Sequence, residues 1–239
     1  CFWAGSLLCR RGVYLAGGVL IAILLAAGTV AQSRYWKNNL TLFRRAAGIS
    51  PLSSKAHHGL GNEYFRRGIN ALYRYGAGPS RRYLQKAIAE FETAIDIFNR
   101  EPLYHNSLGV AYGQLGEFDR ALNAFQTSAR LNPSDPLVLM NLSTLYLRRG
   151  DSERALERIK EYIERLPYVL KGYVNLGEIR LTRGEAAQAA DAFQQALKRD
   201  PRFVPALEGM ARVCELRGDR DGARRYREKA GGNDAGRRY

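Results

Sequence analysis

Cysteine, histidine, methionine and tryptophan are scarce in this chain: three, three, two and two among 239 residues. Cys1 and Cys9 lie in an apolar N-terminal stretch and Cys214 stands far downstream, a distribution that gives neither a disulfide framework nor zinc-ligand pairs. His57, His58 and His105 have no cysteine or acid beside them at metal-site spacing, so packing roles are expected and no metal site is assigned. Glycine is plentiful, at 24 residues, yet none falls in a phosphate-cradling loop or a dinucleotide fingerprint. No arrangement of serine, histidine and acid marks a nucleophile. The segment is therefore expected to be catalytically inert, with no catalytic residue and no cofactor.

Acidic residues are the minority, 23 against 37 lysines and arginines, for a formal charge of +14. Arginine outnumbers lysine 30 to 7. The arginines read as scattered over nearly every helix instead of forming one stripe. That pattern favours acidic surfaces and anionic lipid headgroups in general, and no nucleic-acid partner is expected. With 46% hydrophobic and 25% charged residues, the chain has enough apolar material for a folded core.

Residues 12–33 form a run of 22 without a charge, flanked by Arg10-Arg11 and Arg34. At about 1.5 Å per residue such a run crosses a hydrocarbon core of roughly 30 Å, and it reads as a transmembrane helix. A cleaved signal peptide would have a shorter apolar region and a small-residue cleavage site. Basic residues lie on both sides, so the positive-inside count leaves orientation open. The chain begins at Cys1 within apolar sequence, and residues 1–11 are expected to be a remnant of a preceding span and its loop in a longer protein.

Downstream, four series of residues share one period. Leu108, Leu142, Leu176 and Met210 are 34 apart, as are Gly116, Gly150, Gly184 and Gly218; Ala121, Ala155, Ala189 and Ala223; and Pro133, Pro167 and Pro201. Each series meets a packing need. A small residue after the leucine lets two helices approach closely, and the glycine stops the first helix in a tight turn. The alanine and an apolar residue four later share a face of the second helix, which the proline ends.

These residues resemble the tetratricopeptide repeat (TPR) family, whose 34-residue pattern of apolar, Leu-Gly, Tyr, Gly, Ala, Phe, Ala and Pro positions they follow. Tyr112 and Tyr146 match the family tyrosine, whereas Arg180 and Cys214 depart from it. The resemblance divides the chain into repeats at 102–135, 136–169, 170–203 and 204–230, the last with a polar second helix suited to capping. An earlier repeat spans 54–101. Its second half arrives 14 residues late, which places an insertion at 69–82. There Gly76-Ala77-Gly78-Pro79-Ser80 reads as a break, with Ser80 a candidate cap. Residues 34–53 fit a juxtamembrane half-repeat and residues 231–239 a disordered tail. The expected fold is all-α: an N-terminal transmembrane helix followed by a right-handed TPR superhelix, an α-solenoid.

The resemblance also implies a protein or peptide partner, held in a concave groove lined by the first helices of the hairpins. Asn141 and Asn175, 34 apart, occupy a position where related proteins use asparagine to hold peptide backbone. An amide suits this because it both donates and accepts. The bland reading is a solvated or hairpin-bonded asparagine. Asn106, Met140, Lys171 and Val174 would neighbour that ladder, with His58 and Asn62 one repeat earlier. The family's clamp for a terminal carboxylate is approximated only by Asn141 with Lys171, which argues against recognition of chaperone tails.

The join between run and repeats, from Ala31-Gln32-Ser33-Arg34-Tyr35-Trp36 through Leu42-Phe43 to Leu60-Gly61, is similar to the end of multi-span GT-C glycosyltransferases of the TPR-bearing O-mannosyltransferase kind. That similarity implies an upstream catalytic part and repeats on the non-cytoplasmic side of a membrane. A single-span scaffold for a membrane or secretion complex stands as the alternative. Oligomeric state does not follow from either.

Overall fold

The computed structural model describes residues 38–231, and all of its secondary structure there is helical. The uncharged run at 12–33 and the tail beyond 231 lie outside the described residues. Among the described residues no helix is long and apolar enough to cross a membrane. The chain divides into two compact units on either side of Asn99 and Arg100.

The first unit holds α1 (Asn39–Ile49), α2 (Ser54–Tyr75) and α3 (Ala77–Ile97). Asn38 caps α1, its Oδ1 accepting from Thr41 N at 3.0 Å, and Ser53 caps α2 by accepting from Ala56 N at 3.3 Å. α1 packs on α2 as the second helix of a hairpin would: the Phe43 ring covers Gly59, where a Cβ would come within 2.5 Å of Cδ1. The same device joins α2 to α3. Phe91, 1% exposed, lies over Gly61, where a Cβ would stand 2.6 Å from the ring.

The insertion is not an irregular loop. α2 and α3 have 22 and 21 residues where α4 and α5 of the second unit have 14 each, so the extra residues add about two turns to each helix. Only Gly76 interrupts the helices, at φ +79. Ser80 is therefore not a cap but a buried residue inside α3. The expected break fails at Pro79 because it falls in the first turn, where a missing N–H removes no helical bond.

The second unit contains four hairpins: α4 (Pro102–Leu115) with α5 (Phe118–Leu131), α6 (Pro136–Arg148) with α7 (Ser152–Arg165), α8 (Leu170–Thr182) with α9 (Ala186–Arg199), and α10 (Val204–Leu216) with α11 (Arg220–Gly231). α11 includes Gly231, which the sequence reading assigned to the tail. Gly116, Gly150, Gly184 and Gly218 all have positive φ, between +76 and +86. The residue after each glycine returns a backbone N–H to the first helix: Glu117 to Tyr112 O, Asp151 to Tyr146 O, Glu185 to Arg180 O and Asp219 to Cys214 O, at 2.8–3.0 Å. This closure satisfies carbonyls the helix end would leave orphaned. It uses only main chain at the family tyrosine position, so Arg180 and Cys214 close the turn as well as Tyr112 does.

Small residues set the spacing within hairpins. A Cβ on Gly109 would stand 2.7 Å from the Phe125 ring, and one on Gly177 2.5 Å from the Phe193 ring. The hairpin of α6 and α7 solves the same problem differently. Ser143 takes the small position, Ile159 replaces the ring, and the buried Ser143 hydroxyl donates to Ala155 O at 2.8 Å. Neighbouring hairpins share core: Leu139, Ile159, Tyr162 and Ile179 form one cluster, and Val174, Phe193, Met210 and Val213 another.

Candidate functional site

Successive first helices of the second unit touch one another, α4 with α6, α6 with α8 and α8 with α10, and so form one row. Their packed positions are consumed by the hairpins. What remains free along the row is set by the residues facing away from the second helices. Asn106 of α4 and Asn141 of α6 are half-buried there, and Asn141 Nδ2 donates to Asn106 Oδ1 at 2.8 Å. That bond consumes one donor and one acceptor. It leaves the Asn106 Nδ2 hydrogens and the Asn141 Oδ1 lone pairs for other partners, the donor and acceptor types that match the C=O and N–H of an extended chain.

Asn175 follows on α8, half-buried, its side chain without a hydrogen-bond partner among the described residues. The series ends at α10, where the equivalent position is Gly209, whose missing side chain makes room for Phe193. Farther along the same helices, Glu178 of α8 forms an ion pair with Arg212 of α10, again 34 residues apart. The row thus changes from neutral amides at α4 and α6 to paired charge at α8 and α10. Beside α10 lies a cleft of about 1200 Å³, lined by Phe203, Pro205, Glu208, Arg212 and Arg227 among others.

The other residues singled out from sequence fall differently. Lys171 is exposed at the start of α8. Met140 is half-buried and packs against the cluster around Ile159. His58 is a correction: it is buried in the first unit, its ring 5.5 Å from that of Phe91, and so belongs to the core of the α2 and α3 hairpin. Asn62 is exposed one turn on, its Nδ2 3.4 Å from His58 Nδ1. His57 joins elements: Nδ1 lies 2.7 Å from Glu90 Oε2 and Nε2 3.1 Å from Pro51 O.

The sequence reading missed a second ladder. Arg149, Arg183 and Arg217, 34 apart, each reach back to the preceding hairpin: Arg149 to Asp119 at 2.9 Å, Arg183 to Glu153 at 2.5 Å, and Arg217 to Ala186 O at 3.3 Å. The signal was present, because these arginines directly precede the periodic glycines. The acidic partners of Arg149 and Arg183 lie 30 residues upstream, however, a separation that no single-helix rule searches. Part of the arginine surplus is therefore spent in joining repeats. Among the described residues no group of three or more His, Cys, Asp or Glu side chains converges to hold a metal ion.

The model of the tetratricopeptide repeat family matches residues 106–169 and 174–236, more than half of the chain. The chain belongs to the tetratricopeptide repeat family. Solved structures agree on the fold of this TPR chain. A pilF structure from Pseudomonas aeruginosa superposes with a TM-score of 0.61 at 16% identity, over 89% of this chain and 95% of that one. A thermophilic TPR protein of Thermus thermophilus gives 0.59 at 21%, over 74% and 93%. YrrB, described as a TPR protein with an unusual peptide-binding site, gives 0.52 at 15%, over 82% and 93%. No curated protein matches the chain.

Proposed function

We propose that this TPR chain is a membrane-anchored polypeptide-binding module whose ligand lies extended along the first helices of the second unit. The observation that carries this reading is the Asn106–Asn141 amide pair, half-buried and bonded at 2.8 Å, with Asn175 next in the series. Amides held in place by one another present a donor and an acceptor at little further entropic cost. They read main chain without selecting a particular side chain, so sequence preference falls to Lys171, Met140 and the Glu178–Arg212 pair. YrrB, a peptide-binding TPR protein of similar fold, supports the class of ligand. Anchoring is supported by the uncharged run at 12–33.

Within that reading, the join at residues 31–61 and its likeness to the end of GT-C glycosyltransferases favour an acceptor-binding module of such an enzyme, on the non-cytoplasmic side. A single-span scaffold for a membrane or secretion complex is the competing assignment, supported by the one uncharged run followed by the repeats.

Two experiments test this. A peptide selected from a random library against the full chain should bind, by calorimetry, on the order of tenfold or more weakly to Asn141→Ala with Asn175→Ala, since each lost hydrogen bond is worth about 1 kcal/mol. Unchanged affinity would remove the amide row from the site. Glycosyltransfer by a parent protein carrying this segment, in membranes supplied with lipid-linked sugar and acceptor polypeptides, should fall when residues 52–239 are removed. Absence of transfer by an intact, folded parent would favour the scaffold.

A further inference from the structure

The lengthened hairpin of the first unit ends in a surface unlike any other described part of the molecule. Between Glu63 and Glu90 the chain carries six basic residues, Arg66, Arg67, Arg74, Arg81, Arg82 and Lys86, and no acid. The antiparallel helices fold this stretch back on itself about Gly76, so that its middle, residues 72–82, forms the tip. Glu63 engages Arg66 and Arg67 at the base. Among the described residues Arg74, Arg81, Arg82 and Lys86 have no carboxylate partner. Beside these charges stand large apolar side chains in water: Tyr73 is 84% exposed, Tyr75 71% and Leu72 42%.

The surface has shape as well as charge. Arg67, Arg74 and Tyr75 of α2 line a hollow of about 300 Å³ with Pro79 and Tyr83 of α3. Pro79 and Tyr83 also border an adjoining hollow of about 570 Å³, walled by Gly78, Arg82 and Lys86. Arg67 and Arg74 are seven residues apart on α2, and Arg82 and Lys86 four apart on α3, so each pair shares a helix face. The two added turns carry this group roughly 11 Å beyond where hairpins of the ordinary length stop.

We infer that the tip of the α2–α3 hairpin docks on an anionic lipid surface, with Tyr73, Tyr75 and Leu72 at headgroup depth and Arg74, Arg81, Arg82 and Lys86 on lipid phosphates. Tyrosine beside arginine and lysine is the composition of a membrane interface: the ring sits among headgroups while the cations pair with phosphate. A nucleic-acid strand would need bases stacked on rings along a tracking groove. Here the exposed rings and Leu72 alternate with Arg74 beside the Gly76 turn, ahead of Arg81, Arg82 and Lys86, which suits entry into a surface.

The test is hydrogen exchange on the full chain reconstituted in lipid nanodiscs, with phosphatidylcholine alone or mixed with phosphatidylglycerol. Amides of residues 72–82 should exchange severalfold more slowly in the anionic discs, and high salt should remove the difference. Arg74→Glu with Arg81→Glu and Arg82→Glu should abolish it, because each basic side chain contributes about a fivefold preference for an anionic surface, on the order of a hundredfold for three. Exchange across residues 56–64, unchanged in the variant, shows that the hairpin is still folded. Equal exchange of the tip in both discs overturns the inference. Equal or greater protection by polyuridylate or polyglutamate in place of the anionic discs also overturns it, in favour of a soluble polyanion.

Discussion

Replacing Gly177 by alanine probes the spacing of the hairpins, because two opposed effects can be weighed from the structure. In an ordinary helix interior the change stabilises by about 0.8–1.0 kcal/mol, since alanine has less backbone entropy to lose. At Gly177 the new Cβ would stand 2.5 Å from Cε1 and 2.6 Å from Cζ of Phe193, a ring with no exposed surface. The ring has nowhere to go, because Gly209 of the next hairpin bounds it as closely. Overpacking costs about 1–3 kcal/mol, and the upper end applies where neither side yields. The net expectation is a loss of about 2 kcal/mol, or a melting temperature lower by roughly 4–8 °C. Gly113 is the internal control. A Cβ there would meet Leu145 Cδ1 at an ordinary 3.6 Å, so Gly113→Ala should raise the melting temperature by about 2–4 °C. Thermal unfolding by far-ultraviolet circular dichroism reads both. If Gly177→Ala proves as stabilising as Gly113→Ala, the Gly–ring contact does not set the spacing.

Three further outcomes follow from particular groups. Ser143→Ala should cost about 0.5–1 kcal/mol, measured as faster amide exchange in α6 and α7, because it deletes the buried bond to Ala155 O; unchanged exchange would make that hydroxyl dispensable. Glu63 is 4% exposed, and its carboxyl is held below its usual 4.5 by hydrogen bonds from Arg66 and then Arg67, against the opposing effect of burial. A lowered folded-state pKa gives stability that is present above the unfolded value and lost as pH falls through the folded one. Acid melts should therefore show wild type losing its advantage over Glu63→Gln below about pH 4.5, and a constant difference would refute the linkage. Burial first, and then the Asp219 carboxylate, push the Cys214 thiol above 9.0, so at neutral pH its alkylation by iodoacetamide should be slower than that of a free peptide thiol.

The repeats were legible because each periodic residue answers a local demand that sequence displays. Positive φ asks for glycine at 116, 150, 184 and 218, and a ring packed on a backbone asks for a small residue at 61, 109 and 177. Where the demand is met by position instead of type, sequence misleads. Pro79 signals a break in isolation but is harmless in the first turn of α3. His58 was placed on an outward face, yet the equivalent positions, Met140 and Val174, also turn partly into core clusters. That register lies between neighbouring helices, so its exposure depends on how closely they pack. The bonding of Asn106 to Asn141 was hidden for a related reason: they occupy adjacent positions of their repeats, 35 residues apart instead of 34.

The charge surplus, read from sequence as evenly spread, separates once side chains are placed. Residues 100–231 hold 22 basic against 18 acidic groups, and many of these arginines join hairpins or face an acid on the same helix. Residues 64–89 hold six basic groups and no acid. Two added turns preserve helix register closely, since seven residues make nearly two turns, so the Gly61–Phe91 contact repeats the geometry of Gly109–Phe125 despite the insertion. Near the turn Ala71 and Ser80 stay buried between the helices, whereas Leu72, Tyr73 and Tyr75 remain in water. A surface that keeps large apolar groups in water beside cations without a carboxylate partner calls for a partner that takes both. The amide row of the second unit asks for the opposite, a neutral main chain. Salt separates the two: screening weakens contacts of the cationic tip and leaves amide hydrogen bonds nearly untouched.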